Sequence, residues 1–283
     1  MKIEIAEMED TKAKLILHDA SPALANALRR TMLRDIPKMA IDTVDFHLGS
    51  IMGDDSDKEY ESVTSLFDEV IASRIGLVPV PTDYKMFTFP DQCDCGGEGC
   101  PRCRIMYSLK KHGPATVVSG DMVPLGDSSL KVKDEFIPLV ELTDNQGILI
   151  YANAVMGTAK QHVKWQAAFG VGYTYMPKIV LDEKKAADPE VIEAALAAFP
   201  GVFKEKGKKL VVDDIWKVAD FGRDTFSDVP YILKGFATIE WDDTAYLFKY
   251  ETDGSLTARQ VLDKAIEILS NTADDVAAQI AEL

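Results

Sequence analysis

The sequence predicts an α+β fold in which strands pack under two amphipathic helices, one near each end, with a β-rich segment and a smaller α/β segment inserted between them. Three observations predict it. Apolar and polar residues alternate in short runs, at Ile3 and Ile5, at Ala13, Leu15 and Leu17, and at Ile148, Ile150, Ala152 and Ala154. Apolar residues recur at three- and four-residue spacing in two capped stretches near the ends of the chain. Glycine and proline punctuate much of what lies between.

Taken in order, residues 2–17 read as two strands joined at Glu9 to Thr11, a hairpin leading into the first helix. Ser21 can accept from a free amide there, and Pro22 sits where its missing N–H costs nothing. Pro37 closes the helix near Asp35. Leu24, Leu28 and Met32 fall on one side, with Ala27 and Thr31 beside them, while Arg29, Arg30 and Arg34 point away. By spacing alone this is a core helix with a solvated arginine face. The run MAIDTVDFHLGSIM is rich in β-formers, and GDDSDKEYES reads as a solvated loop. A second helix is expected from Ser65, with Asp68 as the acidic half of a capping box. Phe67, Val70, Ile71 and Ile75 line one side of it, Gly76 can take the left-handed conformation that ends a helix, and Pro79 prevents continuation.

The four cysteines of the chain then appear together as CDCGGEGCPRC: Cys93, Cys95, Cys100 and Cys103. Thiolates on a loop made compliant by Gly96, Gly97 and Gly99 can surround one tetrahedral ion. Zinc is the expected ion, and a closed set of four sulfurs with no position for water is structural rather than catalytic. An iron–sulfur cluster also accepts four thiolates. A zinc deaminase needs His-x-Glu, which none of His18, His47, His112 and His162 supplies, and no nucleophile triad or phosphate-cradling loop stands in a convincing context.

From Thr116 to Ala154 several strands follow, and then GTAKQHVKWQ at 157–166. Residues 177–240 read as a helix from Pro189 to Phe199, a turn at Pro200–Gly201 and a strand near 210–212. A similar second half begins at ADFGRDTFSDVP, and apolar Val191, Ile192, Ala195, Leu196 and Phe199 must be buried. The last helix opens on a capping box of Thr257 and Gln260 and carries a stripe of Leu262, Ala265, Ile266, Leu269, Ala273, Val276 and Ile280.

Bulk properties limit the function. The 283 residues are 47% hydrophobic, enough for an ordinary core, and the formal net charge of −15 repels a phosphate backbone, so direct nucleic-acid binding is not expected. No apolar run has the ~20 residues that cross a bilayer, and MKIEIAEMED lacks a signal-peptide core, so a cytoplasmic location is expected.

The run NALRRTMLRDIP at 26–37 resembles the first-helix motif of the alpha-type subunits of multisubunit RNA polymerases: bacterial alpha, the eukaryotic third-largest subunit and, most closely, the archaeal D-subunit family. DEVIASRIGLVPV at 68–80, the cysteine loop and the His-x-Lys-Trp run at 157–166 are similar to further parts of that family. The resemblance implies an alpha-type dimerisation domain (1–40 and 241–283), an inserted β-rich domain with the cysteine loop (41–170), and a degenerate ferredoxin-like insertion (171–240). Many family members carry Cys-Pro steps and an iron–sulfur cluster in that insertion; here Phe199-Pro200 and Val229-Pro230 stand at those steps, and no cysteine follows position 103. No cluster is therefore expected, although an ordinary α/β insertion unrelated to ferredoxin fits the same residues.

The resemblance further implies a chain without an active site, an assembly platform for DNA-templated transcription. It would form a heterodimer with the small L subunit through Leu24, Leu28, Leu262, Ile266, Leu269, Val276 and Ile280. Arg29, Arg30 and Arg34 would meet the second-largest subunit ahead of the largest, and the N and P subunits would join. The rival reading is a free-standing zinc or thiol redox enzyme using Cys93, Cys95, Cys100 and Cys103.

Overall fold

A computed structural model describes residues 1–53, 58–221 and 229–282. The loop expected at 53–62 and the second half-repeat expected from 219 therefore fall partly outside the described residues. The elements run β1 (Lys2–Met8), β2 (Lys12–His18), α1 (Pro22–Arg34), β3 (Lys38–Phe46), β4 (Ser50–Met52), β5 (Glu59–Glu61) and α2 (Asp68–Gly76). They continue with β6 (Arg104–His112), β7 (Ala115–Val118), β8 (Val123–Pro124), β9 (Pro138–Leu142), β10 (Gly147–Gly157) and β11 (Ala168–Leu181). The chain ends with α3 (Pro189–Ala198), β12 (Phe203–Lys206), β13 (Lys209–Val212), α4 (Ile215–Phe221), β14 (Ala237–Thr252) and α5 (Ala258–Ala281). The result is a mixed α/β fold with antiparallel pairing in its sheets.

Two compact units emerge, one of residues 1–7, 14–26 and 172–249, the other of 8–13, 27–171 and 250–283. This division runs through the expected dimerisation domain rather than around it.

In the first unit, β1, β2, β14 and β11 are neighbours in that order. Tyr173 packs edge-on to Tyr246 and parallel to Phe248. The inserted segment has its own core. Asp188 accepts from the Glu190 amide at 3.0 Å and Pro189 follows it, so α3 starts where its sequence dictates. Val191, Ile192, Ala195 and Phe199 are buried with Phe203, Leu210, Val218, Leu233 and Phe236, and Leu196 packs against them half-exposed. The rings of Phe199, Phe203 and Phe236 lie within 6.0 Å of one another, centroid to centroid. Val229 packs against the same core. Both Xaa-Pro steps thus carry apolar side chains into it.

In the second unit, β10 is the central strand, antiparallel to β3 on one side and β6 on the other, with β8 beyond β6. Ile148, Ile150, Ala152 and Ala154 turn inward as the alternation requires, meeting Ile41, Ile105, Tyr107 and Leu109 in one core. Ile71 and Ile75 of α2 belong to this core as well. The start of α2 differs from expectation. It begins at Asp68 behind Phe67, with no side-chain cap from Ser65; Asp68 and Glu69 in the first turn face the positive end of the helix dipole instead. Phe67 is 80% exposed, and α2 ends through Leu77 in a right-handed conformation rather than through a left-handed Gly76.

Pairing of β10 with β3 skips one residue at Asp42, a bulge that turns its carboxylate to Lys164 Nζ at 2.6 Å. The His-x-Lys-Trp run is therefore a built loop. His162 Nδ1 accepts from the Lys164 amide, and buried Trp165 donates from Nε1 to the Val155 carbonyl at 3.0 Å. Gly157 must be glycine here, since a Cβ would stand 2.5 Å from the Trp165 ring. Gly157→Ala is expected to cost about 1–3 kcal/mol through overpacking. A urea midpoint that falls at unchanged slope would show it; an unchanged midpoint would mean the indole yields freely.

Candidate functional site

The metal-ligand candidates lie between Phe89 and β6. A short 3-10 turn over Pro90–Gln92 delivers the chain to Cys93. The Gly96 amide donates to the Cys93 carbonyl at 2.9 Å, and the Cys103 and Arg104 amides both return to the Cys100 carbonyl. Gly96, Gly97 and Gly99 have φ of 68°, 86° and 89°, a left-handed backbone that side chains disfavour. The glycines thus let the loop fold back and bring all four Sγ atoms within 4.8 Å of one another.

The sulfur geometry fits a tetrahedral ion. Cys93–Cys100, Cys95–Cys103 and Cys100–Cys103 separations are 3.5, 3.6 and 4.0 Å. Four Zn–S bonds of ~2.3 Å place sulfurs ~3.8 Å apart. As thiols the groups do not behave alike. A backbone hydrogen bond from Cys100 holds Cys95 down at about 5, whereas burial among neighbouring sulfurs pushes Cys103 up to about 12. Four thiolates this close repel, and a divalent cation relieves the conflict by offsetting their charge as the thiol protons are released. Cys93 and Cys103 are buried; Cys95 and Cys100 are half-buried.

The arginines of α1 are not equivalent. Ser21 Oγ caps the helix by accepting from Leu24 N at 3.2 Å. Arg30 and Arg34 are exposed, Arg34 resting on Asp35, but Arg29 is half-buried and engaged within the chain. The expected dimer residues also divide. Leu28 and Leu262 are 1% and 3% exposed, covered by their own chain, because α1 and the first two turns of α5 supply core through Met32, Ala258, Val261 and Ala265. Leu24 and Leu269 are half-buried. Ile266, Val276 and Ile280 remain exposed, the last two at 51% and 65%, and every described residue from Ser270 onward is exposed. The α5 stripe thus has two halves, one inward and one open.

The family described as the RNA polymerase Rpb3/Rpb11 dimerisation domain matches residues 14–273, a span that takes in α1 and most of α5. The chain belongs to this family. Relatives named DNA-directed RNA polymerase subunit Rpo3 include those of Picrophilus torridus, 38% identical over 99% of this chain and 100% of theirs, and Thermoplasma volcanium, 39% identical over 95% of each. That of Archaeoglobus fulgidus is 34% identical over 100% of this chain and 98% of its own. The alternative of a free-standing redox enzyme finds no support in this membership.

Within this dimerisation-domain chain, one group escaped the sequence reading. Lys38 is only 3% exposed, its ammonium paired with the Asp253 carboxylate and donating to the Gln166 carbonyl at 3.2 Å. Asp253 also accepts from the Ser255 amide and hydroxyl, the Thr82 amide donates to the Ser255 carbonyl, and the Thr82 hydroxyl accepts from Met39 N. This network ties β3 to the segment that launches α5. The signal was a lysine inside an apolar run, Ile36 to Ile41, where a charge needs a buried partner. No helix among the described residues is long and apolar enough to cross a membrane.

Proposed function

We propose that the chain is a non-catalytic assembly-platform subunit of an archaeal-type DNA-directed RNA polymerase, and that nucleotidyl transfer belongs to the complex it organises. The observation that carries this is the family match across nearly the whole chain, together with a terminal helix that beyond its first two turns exposes apolar Ile266, Val276 and Ile280. That face is the seam on which the small L subunit would lay a matching helix, with Leu269, half-buried, beside it. The N and P subunits and the two large subunits would add to the heterodimer.

Arg30 and Arg34 would face the second-largest subunit, since guanidinium forks suit carboxylate partners at an interface. Reversing both to Glu is expected to leave the melting temperature unchanged and to weaken capture of that subunit by about ten-fold or more. Arg29 is left out of the test because its half-buried position would mix folding with binding. An assembly assay in which the double variant captures the large subunit normally would remove the arginines from the interface.

Cys93, Cys95, Cys100 and Cys103 would hold one structural zinc, which neutralises the four thiolates and fixes the loop ahead of β6. Elemental analysis of the purified chain should give one zinc, and Cys100→Ser should release it while most secondary structure survives. The protein should be colourless. Iron in place of zinc would overturn the assignment. The inserted segment is read as a ferredoxin-like scaffold in which Phe199 and Val229 occupy cluster positions as core residues, supported by their packing in one apolar core.

A further inference from the structure

A cavity of about 340 Å³ lies in the first unit, lined by Lys14 of β2, Leu247 and Lys249 of β14, Thr174 of β11, and Trp216 and Lys217 of α4. In a chain with a net charge of −15, three lysines line this hollow beside an indole, together with one carboxylate, Asp214, which accepts from the Trp216 amide at 2.9 Å. Lys14 Nζ lies 5.9 Å from the Trp216 ring and pairs with Glu7 at 2.7 Å. Lys217 and Lys249 are exposed at the rim.

We propose that this cavity binds a small anion bearing an aromatic ring, a mononucleotide in chemical class. An indole offers a stacking face for a base, and lysine ammoniums are point charges that suit a phosphate. The volume falls at the lower end of the range of small-ligand sites, enough for one nucleotide and too little for several residues of a peptide. The charge distribution favours the same class. A long polyanion, whether an RNA or an acidic peptide, would carry its remaining charges over an acidic protein, whereas a mononucleotide keeps its charge beside the lysines.

The test is a titration of the full chain with adenosine 5′-monophosphate, read by tryptophan fluorescence and by calorimetry, with adenosine, inorganic phosphate, a ten-residue oligoglutamate and a single-stranded RNA decamer as parallel probes. The expected result is saturable quenching by the mononucleotide, weakening with salt, and weaker binding of adenosine or phosphate alone. Lys217→Glu with Lys249→Glu should weaken binding by about ten-fold or more, and thermal melts of the variant run in parallel separate lost binding from lost folding. Trp216→Phe should remove most of the quenching while calorimetry still detects the ligand. Phosphate binding as tightly as the mononucleotide would overturn the proposal, because the ring would then contribute nothing. Tighter binding of the peptide or the RNA would overturn it in favour of a macromolecular partner, and binding indifferent to the lysine substitutions would place the ligand elsewhere.

Discussion

Asp253→Ala is expected to lower stability by about 3–5 kcal/mol, among the largest effects of any single substitution in the chain, because it strands a buried ammonium. Lys38 lies almost wholly inside the protein, and with Asp253 gone the Gln166 carbonyl is its remaining described acceptor. The same substitution also frees the Ser255 amide and hydroxyl just ahead of α5. Replacing both partners, Lys38→Met with Asp253→Leu, should recover much of the loss, since burying an ion pair costs desolvation that an apolar pair does not. Chemical denaturation of the two singles and the double forms a thermodynamic cycle. A loss below about 1 kcal/mol in Asp253→Ala would mean that Lys38 reaches water and that the network is not what joins β3 to α5.

Removing residues 270–283 is expected to leave the fold intact and abolish pairing with the proposed small partner. The deleted turns contribute no buried side chain among the described residues, so the isolated chain should melt as before. Covering Ile266, Val276 and Ile280 by a partner helix contributes roughly 1.5–3 kcal/mol for each side chain, before association entropy opposes it. Val276→Glu with Ile280→Glu should have the same effect as the deletion, by placing charges on the seam. The cut must fall after Leu269. Truncation at Ser255 would also remove Leu256, Ala258, Val261, Leu262 and Ala265, which are core, and would confuse lost pairing with lost folding. A chain lacking 270–283 that still pairs at full strength would place the seam elsewhere.

Where local chemistry decides an element, the sequence was enough to read it. Ser21 before Pro22 and Thr257 with Gln260 each cap a helix where expected, and the helix expected from Pro189 starts there, because a helix start depends on residues within one turn. The cysteine loop was legible for a related reason: ligands and left-handed glycines lie within a few residues of one another, so spacing alone nearly fixes the geometry.

Features that neither a cap nor a periodic stripe announces, and those set by distant contacts, were not legible. Strand β12, Phe203–Lys206, carries an exposed Lys-Glu-Lys run with no alternation to announce it; it exists because a two-residue turn at Gly207 and Lys208, both at φ 60°, folds it back on β13. Ser65 failed as a cap because α2 starts behind Phe67. The α5 stripe has one periodicity from end to end, yet its first turns are core and its last turns are open. Periodicity reports that a face is apolar and not what covers it. The Lys38–Asp253 pair joins residues 215 positions apart, beyond the reach of any local pattern.

Capture of the tagged full chain from the archaeal cells that make it, followed by native mass spectrometry of what is retained, tests the central claim most directly. The account predicts a 1:1 heterodimer with a small dimerisation subunit, alongside larger species that contain the catalytic polymerase subunits. A chain recovered only as a monomer, or as a homodimer free of polymerase subunits, would contradict it.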